Sequence, residues 1–347
     1  VGSLAIRDFL ILMHTPGEIL EQSLDYIKVI LLGFVITVLN NLFMSVLQSL
    51  GDSSTPFWAL LVSSVTNIGL DCVFVLTLKW GVQGAAAATV LSQVFSFAIC
   101  AAGLKRLKFV SILDGSKSKN ARLTVRMLKT GLPVGIMSMV TAVGGMILQF
   151  FVNDLGASAV AAYAASTKIR SVIGEFSNAM GMTFMTFVGQ NYGAQKYDRI
   201  KAGVRMGVLL SILIHIPLSA VEIFGGKRIA SLMVTDPPVL ELCRQYLLIV
   251  GIFVFFLGFL MVFRNCIQGM GNTWIPMLSG GLEVFSRLIF GYWLGRHSFM
   301  GIAAAEASAW ISVSIMLGSS FFVLFRKVLR TQTPEDTTDT KNIRTVS

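Results

Sequence analysis

The sequence predicts an all-α, polytopic membrane protein made of two parallel six-helix repeats, and three observations carry that prediction. Of 347 residues, 54% are hydrophobic and only 13% charged, with a mean hydropathy of +0.73. A soluble chain of this size needs more charge to cover its surface. Nine apolar runs then reach the length of about 20 residues that crosses a hydrocarbon core. They fall at 24–48, 57–78, 83–104, 131–153, 159–188, 203–224, 244–268, 275–295 and 301–325, with a partial tenth at 1–13. The runs are continuously apolar, without the alternation of barrel strands, so they read as helices. The third observation is that the chain matches itself.

The match lies at an offset of 220 residues. Leu12, Met13 and Thr15 face Leu232, Met233 and Thr235; Leu20, Glu21 and Tyr26 face Leu240, Glu241 and Tyr246. Phe43, Gln48, Gly51 and Pro56 face Phe263, Gln268, Gly271 and Pro276, with no gap. Leucine matches are cheap in a membrane sequence, whereas matches of Thr, Glu, Tyr, Gln, Gly and Pro are not. An even number of spans separates each segment from its copy, so the repeats run parallel about an axis along the membrane normal. Two such bundles would enclose a central cavity. The same register implies a twelve-helix plan in which the first two helices and most of the third precede Val1. On this plan 1–104 is the remainder of an N-terminal lobe and 105–129 a linker, with Leu123, Val125, Met127 and Leu128 allowing a surface-lying helix. The C-terminal lobe is 130–327, and the polar segment 328–347 is expected to be a disordered tail.

The net charge of +10 sits on alternate loops rather than on a nucleic-acid-binding face. One loop carries Lys105, Arg106, Lys108, Lys117, Lys119, Arg122, Arg126 and Lys129, another Lys196, Arg199, Lys201 and Arg205, and the tail begins with Arg326, Lys327 and Arg330. The opposite loops hold Lys79, Lys227, Arg228 and Arg296. The positive-inside rule places the linker and the C-terminus in the cytoplasm. Four cysteines (Cys72, Cys100, Cys243 and Cys266) fall in apolar spans without a C-x-x-C and read as buried small residues. His14, His215 and His297 do not cluster, so no metal site is expected.

Short motifs punctuate the spans in order. Gly51-Asp52-Ser53-Ser54-Thr55-Pro56 joins two spans, and Gly271-Asn272-Thr273-Trp274-Ile275-Pro276 repeats it; glycine permits the reversal and proline opens the next helix. Gly81-Val82-Gln83-Gly84 followed by Ala85–Ala88 begins another span, echoed by Gly301 with Ala303–Ala305, and small residues allow close helix approach. Gly189-Gln190-Asn191-Tyr192-Gly193-Ala194 ends the span at 159–188.

Together with the Asn67 and Asp71 pair, these motifs resemble the multidrug and toxic compound extrusion (MATE) family across essentially the whole chain. The resemblance implies a two-lobed antiporter of the cell (inner or plasma) membrane. It would expel small amphipathic, often cationic organic compounds in exchange for Na⁺ or H⁺, as a monomer with no cofactor besides the coupling ion. An acidic residue in the first helix, used by many members, falls outside this sequence. The glutamate that others carry in the seventh helix has no counterpart, since Gly131–Asn153 contains no acid before Asp154.

Ionisable groups at bilayer depth cost about 2.5–3.5 kcal/mol on insertion scales, so each asks for a partner or a role. Lys168, Ser171, Glu175, Asn178, Met182 and Met185 share one helical face. That stripe fits a wet cavity wall, with Glu175, Asn178 and Lys168 as coupling or substrate candidates; the alternative is that Lys168 and Glu175 neutralise each other between helices. Glu283 and Arg287 form either a self-contained i,i+4 pair or a functional site. Asn67 and Asp71, one turn apart, are either a site or an interhelical hydrogen bond. Arg264 is expected to anchor at the cytoplasmic end, and Glu222 and Glu306 near the outer interface. A flippase for lipid-linked sugars on the same plan would need more basic groups at mid-membrane than Lys168, Arg170 and Arg287. A receptor or scaffold subunit fits the duplication poorly. An enzyme would need a motif such as G-x-S-x-G or H-E-x-x-H, and none occurs.

Overall fold

The computed structural model describes residues 17–106 and 121–330. The partial span at 1–13, most of the linker and the tail after Arg330 lie outside them. The chain divides into two compact units, Val1–Ser118 and Lys119–Ser347.

In the first unit, α1 (Gly17–Ser49), α2 (Ser54–Asp71) and α3 (Gly81–Arg106) follow one another through short turns, which makes neighbours antiparallel. Helix α3 packs on both others because one of its faces is made of small side chains. Ala88, Ser92, Ser96 and Cys100 are buried at successive helical positions. Leu47, Ala59, Cys100 and Leu104 form the core, and Ser96 donates to Asn40 at 3.0 Å. Large apolar residues on α1 face outward, Leu32 being 85% exposed, as a helix surrounded by lipid requires.

Among the described residues the second unit holds six long helices: α4 (Ala121–Asp154), α5 (Ala157–Gly193), α6 (Tyr197–Ala220), α7 (Pro237–Gly269), α8 (Trp274–Phe290) and α9 (Phe299–Arg330). Helix α7 is central, packed against α5, α6 and α9, while α8 lies between α4 and α9. Tyr246, Val250, Val254 and Trp310 are almost fully buried in this core. Three helices end in a widened π-helical turn. Cys72–Thr77 follows α2, Gly291–Gly295 follows α8, and Val221–Gly225 extends α6 into a short helix at Gly226–Ala230.

The nine long helices among the described residues coincide with the nine apolar runs. Seven of them are long and apolar enough to cross a membrane. The other two are α5, with Lys168, Arg170 and Glu175, and α8, with Glu283 and Arg287. Two local expectations change. Residues 121–129 are not a separate surface helix but the first turns of α4, which runs through Pro133 without ending. Cys72 is exposed, whereas Cys100, Cys243 and Cys266 are buried.

The internal repeat is visible in the helix boundaries, since α1 and α7, and the starts of α2 and α8, obey the same offset. It is equally visible in the turns. Gly51 and Gly271 both take left-handed conformations, with φ of 90° and 84°. Asp52 N–H donates to Leu47 O at 3.0 Å and Asn272 N–H to Ile267 O at 3.3 Å. The side chain of Asp52 accepts from Thr55 N–H at 3.0 Å, and that of Asn272 from Ile275 N–H at 3.2 Å. Thr55 also donates its hydroxyl to Asp52 at 2.6 Å, which holds the Asp52 carboxyl below the usual carboxylate range. Pro56 and Pro276 are buried one turn into the following helices.

An L side chain in the left-handed region costs roughly 1–2 kcal/mol. Gly51→Ala and Gly271→Ala should therefore each lower the thermal unfolding midpoint in detergent, and by similar amounts. Asn272→Asp, which keeps the accepting oxygen, should leave it nearly unchanged.

Candidate functional site

The buried interior of the second unit contains a chain of charges. On α8, Glu283 and Arg287 pair at 2.9 Å, one turn apart. The pair is not self-contained: Arg264 of α7 reaches the other Glu283 oxygen at 3.1 Å, and Arg287 lies 3.6 Å from Glu306 of α9. Arg170 of α5 holds Glu306 at 3.0 Å and lies over the Trp310 ring at 5.8 Å. Tyr246 of α7 donates its hydroxyl to the second Glu306 oxygen. Four helices thus converge on the run Arg264–Glu283–Arg287–Glu306–Arg170. Glu283, Glu306, Arg264 and Arg287 are all under 7% exposed, so Arg264 is an interior group and not an anchor at the membrane surface.

Glu222 belongs to the same region. It is 1% exposed, and both its carboxyl oxygens are shielded without a hydrogen-bond partner. Arg170 and Glu306 are the charged groups that act on it. Arg170 Nε is likewise shielded and unpartnered, as are Arg264 Nε and Arg287 Nε. Counted by side chains, three arginines now stand with three glutamates. Glu222 sits in the widened turn Val221–Gly225, and such turns are frequent at functional sites.

The helix that carries Glu222 presents a polar stripe to the core. His215, fully buried, lies 2.8 Å from Ser177 Oγ of α5 through Nε2 and 2.7 Å from Ser211 O through Nδ1. Ser219 donates to Gly251 O at 2.7 Å. Glycines on facing helices make the room. A Cβ on Gly258 would lie 2.5 Å from the His215 ring, one on Gly251 3.0 Å from Glu222 Cβ, and one on Gly144 of α4 2.7 Å from Arg287 Nη1.

The residues singled out from the sequence fall into three places. Glu283 and Arg287 are in the buried run. Lys168, Ser171, Glu175 and Asn178 are exposed on α5, and no ion pair joins Lys168 to Glu175, so mutual neutralisation is not their role. Asn67 and Asp71 are partly buried in the first unit, where Asn67 Nδ2 and Asp71 Oδ1 are shielded and unpartnered. The repeat offset superposes Asn67 on Arg287 and Ser63 on Glu283. Arg264, Arg170, Glu306, Glu222 and His215 come from helices far apart in the chain, and nothing in their sequence spacing links them.

Comparison with known proteins then settles the lineage. The MatE family model matches residues 1–73 and 133–293, well over half of the chain. This chain belongs to the MATE family. The Bacillus subtilis protein named probable multidrug resistance protein YoeA is 27% identical over 87% of this chain and 70% of its own length. The multidrug export protein MepA of Staphylococcus aureus is 23% identical over 79% of this chain and 61% of its own. The fold is that of the Vibrio cholerae MATE transporter VcmN in its bent form, with a TM-score of 0.79, 21% identity and coverage of 95% of this chain and 74% of that one.

Within this MATE chain the motifs have visible structural duties. Gly189 and Gly269 let α5 and α7 cross closely: a Cβ on Gly269 would lie 2.6 Å from Met185 O and 3.1 Å from Gly189 N. Asn191 donates its amide to Phe187 O at 2.8 Å, and its own carbonyl accepts from Lys196 N–H at 2.8 Å. Gln190, Gly193 and Ala194 close α5, with Ala194 N–H donating to Gln190 O at 3.1 Å.

Removing one partner of a buried ion pair leaves the other charge uncompensated and costs about 3–5 kcal/mol. Glu306→Gln should therefore lower the thermal midpoint far more than Glu175→Gln, which removes an exposed charge with no partner.

Proposed function

We propose that this protein exports small amphipathic organic compounds, cationic ones among them, in exchange for H⁺ or Na⁺, presenting its binding surface to one side of the membrane at a time. The observation that carries the reading is Glu222, an unpartnered carboxyl inside the second unit of a chain whose MATE relatives include proteins named for multidrug export. An ionisable group held at membrane depth without a partner is expensive, and such groups mark ion pathways.

The chemistry follows from charge balance. With Glu222 ionised, its region holds three positive and three negative side chains. Binding H⁺ or Na⁺ there leaves one excess positive charge, which opposes a cationic compound nearby and favours its release. Loss of the cation restores balance and readmits the compound. A ligand shifts such an equilibrium only by its differential affinity for the two states, and opposed occupancy supplies that difference. The exposed stripe Lys168, Ser171, Glu175 and Asn178 is the proposed contact surface for the compound, with Asn67 and Asp71 as candidates in the first unit. The positive-inside rule assigns the basic ends, Arg122–Lys129, Lys196–Arg205 and Arg326–Arg330, to the cytoplasm of a cell or inner membrane.

Ion pairs speak against a flippase of pyrophosphate-linked lipids, because Arg170, Arg264 and Arg287 are each held by a glutamate. No feature of the site favours a receptor or scaffold role.

Efflux of a fluorescent cation from cells expressing the full-length gene tests the proposal. Glu222→Gln, expressed at the normal level, should slow export by about tenfold or more and flatten its dependence on the driving-ion gradient. Glu175→Gln should abolish coupled export with expression intact. Unchanged transport in either variant removes that residue from the mechanism.

A further inference from the structure

At the end of the second unit where α6 begins and α9 ends, a cleft of about 590 Å³ opens between α6, α7 and α9. Its rim carries Lys201 and Arg205, from the first turns of α6, and Arg326 near the end of α9. All three are exposed, and none takes part in an ion pair with a described acidic residue. Below them the wall is phenylalanine. Phe321 and Phe325 stack at 5.6 Å, and Phe263 of α7 lies 5.9 Å from Phe321 and 6.2 Å from Phe322. Phe321 and Phe325 are 2% and 7% exposed and form a buried floor, while Phe322 is 57% exposed along the open side.

The order of these groups along the helices matters. On α9, Arg326 is the outermost, and Phe322 and Phe321 lie one turn deeper toward the middle of the span. A ligand that satisfied the cleft would have an anionic head at the helix ends and an apolar body running into the membrane. We propose that the cleft binds one anionic phospholipid of the leaflet at this end, its phosphate held by Lys201, Arg205 and Arg326 and an acyl chain lying on Phe263, Phe321 and Phe322. Free phosphate would leave the aromatic wall without a role. A zwitterionic lipid would bring a further cation to a rim that already holds three. The cleft shares no residue with the buried ion pairs, so this site stands or falls independently of the export mechanism.

The test uses the purified full chain in uncharged detergent, followed by native mass spectrometry and thermal unfolding. Phosphatidylglycerol should be retained as a single tight equivalent and raise the midpoint, while phosphatidylcholine and inorganic phosphate at the same concentration do neither. Lys201→Gln/Arg205→Gln/Arg326→Gln should weaken retention by about a hundredfold, roughly fivefold for each basic side chain near an anionic headgroup. Phe322→Asp should weaken it with the three cations intact. The control Arg122→Gln/Arg126→Gln/Lys129→Gln, which removes an equal charge from α4, should leave it unchanged. Equal retention of phosphatidylcholine, reproduction of the shift by phosphate alone, or an equal loss in the α4 control would overturn the proposal. So would a fall in lipid-free stability on deleting residues 331–347, which would assign the cleft to the acidic segment containing Glu335, Asp336 and Asp339.

Discussion

A guanidinium sequestered between membrane helices must be met by a carboxylate, and the second unit is arranged around satisfying that requirement three times. Arg264, Arg287 and Arg170 come from α7, α8 and α5, and the glutamates that answer them come from α8 and α9. In a medium where lipid offers no hydrogen bonds, helices have little hydrophobic reason to prefer one another. Polar groups that can be satisfied only in one arrangement then fix which faces meet. Glu306 does this most economically, because it accepts from Tyr246 and Arg170 and lies within reach of Arg287, joining three helices to its own.

Such an interior needs space as well as charge, and the glycines provide it. Gly144, Gly251 and Gly258 lie under Arg287, Glu222 and His215 at distances that no other residue would permit without a shift. Side-chain size on one helix and side-chain polarity on the next are therefore a single constraint. The first unit shows the same scaffold with a different interior. Its positions equivalent to Glu283, Arg287, Arg264 and Glu306 are Ser63, Asn67, Met44 and Ala86, so its packing rests on small residues and on the Ser96–Asn40 and Gln83–Asp25 hydrogen bonds between α1 and α3.

What the sequence made legible was everything encoded locally. Apolar run length gave all nine helices. The spaced Gly and Pro gave both repeat turns, because a left-handed glycine and an Asx side chain act within a few residues. The Glu283–Arg287 pair was visible for the same reason, one turn on one helix. Its continuation to Arg264, Glu306 and Arg170 was not, since those partners are separated by whole helices and meet only after packing. The apolar run ending at residue 224 points Glu222 to an interface; the widened turn carries α6 on into the short helix Gly226–Ala230, and Glu222 is buried against Gly251 of α7. At the other end, the apolar residues after Arg122 did not mark a surface helix, because α4 simply begins earlier than its apolar run.

That widened turn also changes what counts as a small edit to the gene. A π-helical turn accommodates one residue beyond the regular helical repeat, so deleting a single codon within Val221–Gly225 would leave an unbroken helix that still spans. Such a deletion removes the widening itself, so the residues after it keep nearly the face they had. Gly226 would stay seated against Leu247 and Ala230 in the core. A one-codon deletion in the regular part of α6 would instead turn everything beyond it by about 100°, so the widened turn is where this helix tolerates a change of length.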